Sequence, residues 1–357
     1  MRIGILQPLI PHYREEFFKG LNKAFDIDLY IYKKQKDIEK DKFENSIFRY
    51  KYLNSFQFSS ILIYNFIPLL NPKYKVLILP GEIRSISTWL LLLIGKVSSR
   101  KIILWGHGIS NERYLKEEKK LLSIRVLFHK LADHIWLYTE KEKEIWSKYI
   151  DKKKITALNN TIDIEPILNI PKPDKELTKK KYKVHTKLNL IYCARFTANR
   201  RIDLMLELIQ EVENKDIGFI IIGEGEYKPD FSIYKNVYDF GSIYDLKKKN
   251  ELFCMSDIYF QPAWIGLSIV EAMAFGKPVL TLERSQDILQ GVEYSYLRHG
   301  INGFIGKNVE DIIFFIKNIS KNELEELQEK TRIFAKRYLN IENMINNAEV
   351  SLKRLNK

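Results

Sequence analysis

The chain predicts an α/β protein with two parallel-sheet domains, and three observations carry that expectation. Short runs of Ile, Leu, Val and aromatic residues alternate with longer amphipathic stretches, the pattern of βαβ units. The alternation occurs twice, on either side of a Pro- and Lys-rich tract at 165–188. The length, 357 residues, exceeds what one core ordinarily organises. Two consecutive units of this kind read as two Rossmann-like domains facing a central cleft, with ligands outside the carboxyl ends of the strands.

In the first half the expected strands are RIGILQ (2–7), DIDLYIY (26–32), KVLILP (75–80), KIILWG (101–106) and HIWLYT (134–139). Helices are expected near 13–24, 84–97, 115–132 and 140–149. The second series of strands is LNLIYCA (188–194), GFIIIGE (218–224), VYDFG (237–241), DIYFQP (257–262) and PVLTLE (278–283). A charged amphipathic stretch runs from about Lys321 to the end. The expected organisation is a first domain at 1–164, a linker at 165–187 and a second domain at 188–335. Residues 336–357 are expected to form a separate last helix.

Composition narrows the function. Hydrophobic residues make up 45% of the chain, with 20 Tyr and 20 Phe, enough to fill large cores. Lys and Arg number 58 against 45 Asp and Glu, a net charge of +13 that favours anionic partners such as nucleotide phosphates or anionic lipid headgroups. No nucleic-acid recognition motif accompanies that charge, so nucleic acid is not an expected partner. Cys193 and Cys254, the only cysteines, sit in apolar contexts, which fits a reduced cytosolic protein better than a disulfide framework. MRIGILQPLI lacks the apolar core and cleavage site of a signal peptide, and the WLLLLIG run is too short to span a bilayer. The expected location is cytoplasmic, with peripheral attachment to the inner face of the membrane as an option. The segment 115–132, with basic residues beside an apolar face, is the candidate for a membrane-surface helix.

Three elements of the second half are expected to converge on one anionic ligand. Arg195 and Arg200 flank the turn RFTANRR, where two guanidinium forks can face one phosphate group. Gly266, Leu267 and Ser268 open a short apolar helix whose amino end favours an anion. Glu271, one turn further on, repels phosphate but accepts two hydrogen bonds, which suits a vicinal diol such as a ribose. Gly223 of GEG, together with Gly241, Ser242 and Ile243, forms loops at later strand ends. GEG is not the dinucleotide fingerprint, because Lys228 falls where the third glycine would be, so hydride-transfer cofactors are disfavoured. This half has no Asp-x-Asp and no His/Cys cluster, so no metal is expected.

The stretch 263–278, AWIGLSIVEAMAFGKP, closely resembles the donor-site signature E-G-F-G-L-x-x-x-E-A-M-A-x-G-x-P of family 4 retaining glycosyltransferases. The resemblance extends through residues 185–305. RFTANRR is similar to the family's G-R-L-x-x-x-K-G element, with Ala194 and Arg201 in place of its glycines and Arg200 in place of its lysine. It implies the GT-B fold with the last helix, 336–357, crossing back to the first domain, a nucleotide-diphospho-sugar as donor substrate and no cofactor. It places Arg195 and Arg200 on the diphosphate, Glu271 on the ribose, and Gly223, Gly241, Ser242 and Ile243 around the nucleotide. It also implies a glycan or lipid-linked glycan acceptor and a setting in bacterial surface polysaccharide biosynthesis. One position departs: Ala263 stands where the signature has its first glutamate, a contact to donor sugar hydroxyls. That suggests a deoxy or otherwise modified sugar. It also leaves the alternative of a catalytically silent homologue acting as a nucleotide- or glycan-binding scaffold.

In the first half, Gly106-His107-Gly108 follows a strand, and His107 resembles the family's cleft histidine that contacts the transferred sugar. Tyr13 and Arg14 after the first strand, and Glu82 and Arg84 after the third, are the candidate acceptor contacts.

Overall fold

The computed structural model describes residues 1–33, 50–213 and 216–355. The chain divides into two compact units, residues 1–160 with 341–357, and residues 161–340.

The first unit is built on a seven-stranded parallel sheet. Its strands are β1 (Arg2–Gln7), β2 (Asp26–Ile31), β3 (Tyr50–Tyr52), β6 (Val76–Pro80), β7 (Lys101–Gly106), β8 (His134–Leu137) and β9 (Ile155–Ala157). The order across the sheet is β3-β2-β1-β6-β7-β8-β9. A small antiparallel hairpin, β4 (Ser55–Phe58) and β5 (Ile61–Tyr64), stands apart from this sheet. Central strands such as VLILP are buried along their whole length because helices cover both faces, which is why they read as continuous apolar runs. On one face Ile3, Ile5, Ile78 and Ile103 pack with Phe17, Phe18 and Leu21 of the helix Glu15–Ala24. The last helix, Ile341–Leu355, closes the same layer with Met344, Ala348 and Leu352, and the Trp136 indole donates to Ser351 Oγ at 2.8 Å.

The second unit carries β10 (Leu188–Cys193), β11 (Ile217–Ile222), β12 (Val237–Asp239), β13 (Ile258–Phe260), β14 (Val279–Leu282) and β15 (Gly303–Gly306). All are parallel, in the order β12-β11-β10-β13-β14-β15. Alternate residues serve opposite cores: Ile191, Ile220 and Ile222 face one, Leu190, Tyr192, Phe219 and Ile221 the other. The strand order reverses at β10/β13, as it does at β1/β6 in the first unit, and open α/β sheets bind ligands at such switch points.

Four expectations differ from the structure. The tract expected to be a linker belongs to the second unit: it folds into the helices Glu165–Asn169 and Lys175–Tyr182 and buries Ile167 and Val184 in that core. The single helix expected at 115–132 is two short ones, Tyr114–Glu117 and Ser123–Lys130, because Leu121, Phe128 and His129 turn into the unit. The last helix, expected from 336, starts at Ile341, after the separate helix Lys321–Tyr338, and it groups with the first unit as expected. The edge strands β3, β9 and β15 and the β4–β5 hairpin were not anticipated.

Two histidines of the first unit link its stability to pH. His129 Nδ1 meets the Arg125 carbonyl at 2.8 Å, and His134 Nε2 meets Thr156 Oγ1 at 2.8 Å. Burial pushes both down from the ordinary 6.5 to about 4. Between those values the unfolded chain takes up protons that the folded chain refuses, so stability falls as pH drops through that window. Thermal melts are expected to be flat near neutrality and to decline between pH 6.5 and about 4. His129→Gln should make that decline shallower, and an unchanged slope would show that His129 is not its source.

Candidate active site

In the second unit the candidate residues fall on loops at the carboxyl ends of neighbouring strands. The turn after β10 is held by two backbone bonds, Ala194 N to Ile222 O and Phe196 N to Glu224 O. Gly223 and Gly225 are required by this packing: with φ of +152° and +156°, a Cβ on either would lie about 2 Å from the carbonyl of Ala194 or Phe196. Gly223 thus joins two loops, a structural role beside the ligand role expected of it.

Arg195 is exposed, and Arg200 is turned inward. Arg200 Nε and Nη1 are shut off from solvent and meet no hydrogen-bond acceptor. The Arg200 charge acts on Tyr192, Cys193 and Tyr259, which places the guanidinium over the ends of β10 and β13. Arg201, at the position of the signature's second glycine, adopts a left-handed backbone with φ of 51°. Its guanidinium binds Asp203 at 2.6 Å and donates to the Asp287 carbonyl at 3.1 Å, so it is committed to holding the turn.

The loop from β13 into the helix Ser268–Ala274 is fixed by two fully buried amides. Gln261 donates to the carbonyls of Ala263 and Trp264 at 2.9 and 2.7 Å, and accepts from Tyr259 at 2.7 Å and from Ser268 Oγ at 3.1 Å. Gln290 accepts from Ile265 N at 2.9 Å and donates to the Leu282 carbonyl at 2.9 Å. Between them Trp264 is held at φ 53°, a region a bulky side chain avoids unless its surroundings impose it. Gly266 is different: a Cβ there would meet nothing within 4 Å, so the missing side chain leaves open space before the helix. Leu267 and Ser268 are half-buried, and the Ser268 hydroxyl is spent on Gln261. Ala263 has no exposed surface.

Glu271 has a partner that the sequence did not announce. Lys249, on the helix Leu246–Met255, lies 2.7 Å from Glu271 Oε1, with both side chains 17% exposed. The other carboxylate oxygen faces the Cys193 thiol at 4.0 Å. Burial, reinforced by the Glu271 charge, pushes that thiol up to about 12, so it stays protonated and points its S–H at the carboxylate. Burial works against the Lys249 ammonium, but the Glu271 carboxylate more than offsets it, and the net shift is upward. Further along the edge, Gly241 has φ 63° and its carbonyl accepts from Gly223 N at 2.8 Å. Ser242 is exposed, and Ile243 packs partly against the core. Lys228 clamps the two loops through Glu224 and Asp239, both at 2.8 Å.

In the first unit, His107 projects from the loop after β7. Gly108 beneath it is packed against Trp146, which donates to the Gly108 carbonyl at 3.1 Å, while Gly108 N donates to Glu142 at 2.8 Å. The imidazole stands edge-on to Tyr138 with ring centres 4.5 Å apart, and part of it is open to solvent. Crowding by protein, then the positive charges of Arg14 and Arg125, lower its pKa, so the ring is neutral near pH 7. Solvent at its open edge screens part of that shift.

Arg14 is placed otherwise than expected for an acceptor contact. It is buried, donates to Asn160 Oδ1 and Met344 Sδ, and stacks within 5.2–5.6 Å of Tyr13, Trp105 and Tyr138. It ties the first loop to the last helix. Tyr13 is half-buried beside it. Glu82 accepts from the Tyr32 hydroxyl at 3.0 Å, and Arg84 is exposed with its carbonyl bonded to Leu62 N. Among the described residues no cluster of three or more His, Cys, Asp or Glu is arranged for a metal ion.

Residues 187–322 match the family described as glycosyl transferases group 1. The match lies within the second unit and covers Arg195, Arg200, Lys249, Gln261 and Glu271. An uncharacterized glycosyltransferase of Haemophilus influenzae is 26% identical over 254 residues, 67% of this chain and 66% of that protein. An uncharacterized 41.2 kDa protein from the cps region of Klebsiella pneumoniae is 29% identical over 138 residues, 37% of each chain. The chain therefore spans just under two thirds of the first relative and much less of the second. The fold is similar to that of Anabaena HepE in complex with UDP, with a TM-score of 0.72 at 14% identity over 99% of this chain and 100% of that one. HepE has also been solved with UDP-glucose. Two Rossmann-like units of this build are the GT-B architecture.

The Lys249–Glu271 pair gives a direct test of the site's construction. Lys249→Met strands a partly buried carboxylate and should cost roughly 1–3 kcal/mol in thermal or urea unfolding. Adding Glu271→Gln should restore most of that loss. Simple addition of the two effects would mean the groups are not coupled.

Proposed function

We propose that this chain is a retaining glycosyltransferase that moves a sugar from a nucleotide-diphospho-sugar to a glycan or lipid-linked glycan acceptor, in bacterial surface polysaccharide biosynthesis. The observation that carries the reading is Arg200: two guanidinium N–H groups shielded from water and without an acceptor, at the switch point of a group 1 domain. Buried donors left unpaired are costly, and a diphosphate oxygen supplies the missing acceptor. The open space at Gly266 admits the phosphates to the amides of 266–268. The nucleotide-sugar class is supported by HepE, which binds UDP and UDP-glucose, and the polysaccharide setting by the cps-region relative.

The chemistry follows from charge. The bond between the anomeric carbon and the β-phosphate oxygen breaks, and negative charge develops on the diphosphate. Arg195, Arg200 and the amides of Leu267 and Ser268 stabilise that charge without a metal ion. Glu271, held by Lys249, accepts from the ribose hydroxyls. His107, neutral at physiological pH, contacts the sugar. The acceptor oxygen bonds to the anomeric carbon on the face the diphosphate leaves, and its proton passes to a β-phosphate oxygen. Ala263, enclosed and without a polar group, offers sugar hydroxyls nothing, so the donor is a deoxy or otherwise modified sugar.

One observation favours a second reading, a nucleotide- or glycan-binding scaffold without turnover: the missing glutamate at Ala263. Incubation with a panel of nucleotide sugars and a lipid-linked glycan acceptor separates the two. Transfer with retained anomeric configuration is expected. Tight nucleotide binding without turnover of any donor would leave only the scaffold. Arg200→Ala and Glu271→Ala should each weaken donor use by at least about tenfold, ~1.4 kcal/mol. Wild-type kinetics in both would remove the site from these loops.

A further inference from the structure

The first unit leaves an apolar surface facing outward. Among the described residues, ten of the exposed large apolar side chains fall between Tyr52 and Val97. They form two organised faces. In the hairpin, the register sets Phe56 opposite Ile63 and Phe58 opposite Ile61, so all four lie on one side of the ribbon. Phe56 and Phe58 are 65% and 72% exposed. The opposite side is the packed one: Leu62 and Tyr64 enter the core, and Tyr64 bonds Ser87 and Thr88 of the helix Ile86–Val97 at 2.9 Å each.

That helix has a second bare face. Ile86, Leu90, Leu93 and Val97 fall within about 60° of arc at 100° per residue. All four are exposed, Val97 at 89%. Ser87, Thr88, Leu91, Leu92 and Gly95 occupy the other side and are buried. Scattered exposed apolar residues are ordinary, but two organised bare faces, on elements whose packed sides are hydrogen-bonded to each other, mark a surface that meets something apolar.

The surrounding charge identifies the occupant. Residues 51–100 carry six Lys or Arg against the single acid Glu82. Arg84 stands just before the helix and Lys96 in its last turn, both exposed. A second copy of a chain with net charge +13 would set like charge against like. An anionic lipid surface takes up both the apolar faces and the cations that flank them. We propose that the β4–β5 hairpin and the helix Ile86–Val97 form the face by which this protein docks on an anionic bilayer, lying in the headgroup region. This assignment replaces the segment 115–132, which is broken into two short helices, and it does not depend on the proposed sugar transfer.

The test is co-sedimentation of the full chain with vesicles of phosphatidylcholine alone and of equal parts phosphatidylcholine and phosphatidylglycerol. Wild-type protein should partition to the anionic vesicles at least about tenfold more strongly. Phe58→Glu with Leu93→Glu should lower that partition by at least about tenfold. Arg84→Gln with Lys96→Gln should weaken it most at low salt. All four residues are exposed, so the melting temperature should be unchanged in each variant. The proposal is overturned by failure of the wild type to bind anionic vesicles, or by equal binding of the Phe58→Glu/Leu93→Glu variant. It is also overturned if the wild type is a dimer in solution that this variant dissociates, since the face would then join two copies of the chain.

Discussion

Two buried glutamine side chains hold the candidate donor site in shape. Gln261 and Gln290 have no exposed surface, and between them they anchor the backbone from Pro262 to Ile265 and the first hydroxyl of the helix beyond. A loop with this much backbone cannot be buried unless its N–H and C=O groups find partners. An amide side chain supplies a donor and an acceptor on one planar group, so two of them replace the ladder that a strand would have provided. The left-handed Trp264 is the local strain this network sustains. Everything proposed for Gly266 through Glu271 depends on the loop staying there.

Opposite charges complete the arrangement in a second way. Arg201 and Lys228 have acidic partners that tie them into the scaffold, whereas the Arg200 guanidinium keeps two donors unspent. The neighbouring carboxylate is held by Lys249 on a separate helix, so Glu271 is oriented before any ligand arrives. Preorganised charge of this kind stabilises a developing anion without reorganising at the moment of reaction. Arg14 plays a comparable scaffold part in the first unit, where three aromatic rings and Met344 enclose a cation that the sequence placed on the surface.

Much of this was legible in the sequence, for physical reasons. Strands such as LNLIYCA and KIILWG are buried on both faces, so their apolar runs are continuous and their ends are marked by polar or glycine residues. Arg200 and Glu271 stood out because charge beside apolar sequence needs a reason. The three-residue strands β3, β9 and β12 are too short for periodicity to resolve, although the VYD segment of β12 was found from its context. Lys249, Gln261 and Gln290 were invisible because their partners are distant in sequence and a polar residue on a loop or helix looks solvated. The tract at 165–188 misled through its Pro and Lys content, since only Ile167 and Val184 reveal that it packs. Arg14 misled for the same reason as the glutamines: its aromatic enclosure is assembled from four separate segments.

The thiol of Cys193 is a natural clock for this pocket. It is enclosed, kept protonated, and faces the very carboxylate proposed to hold the ribose. A thiol in that condition is chemically silent until the structure around it opens. Its rate of alkylation therefore reports how often the loops beside Glu271 part. Cys254 is less enclosed and bonds the Pro173 carbonyl, so it reacts as an internal reference. The chain thus carries its own spectator and its own control for the opening and closing of the region around Glu271.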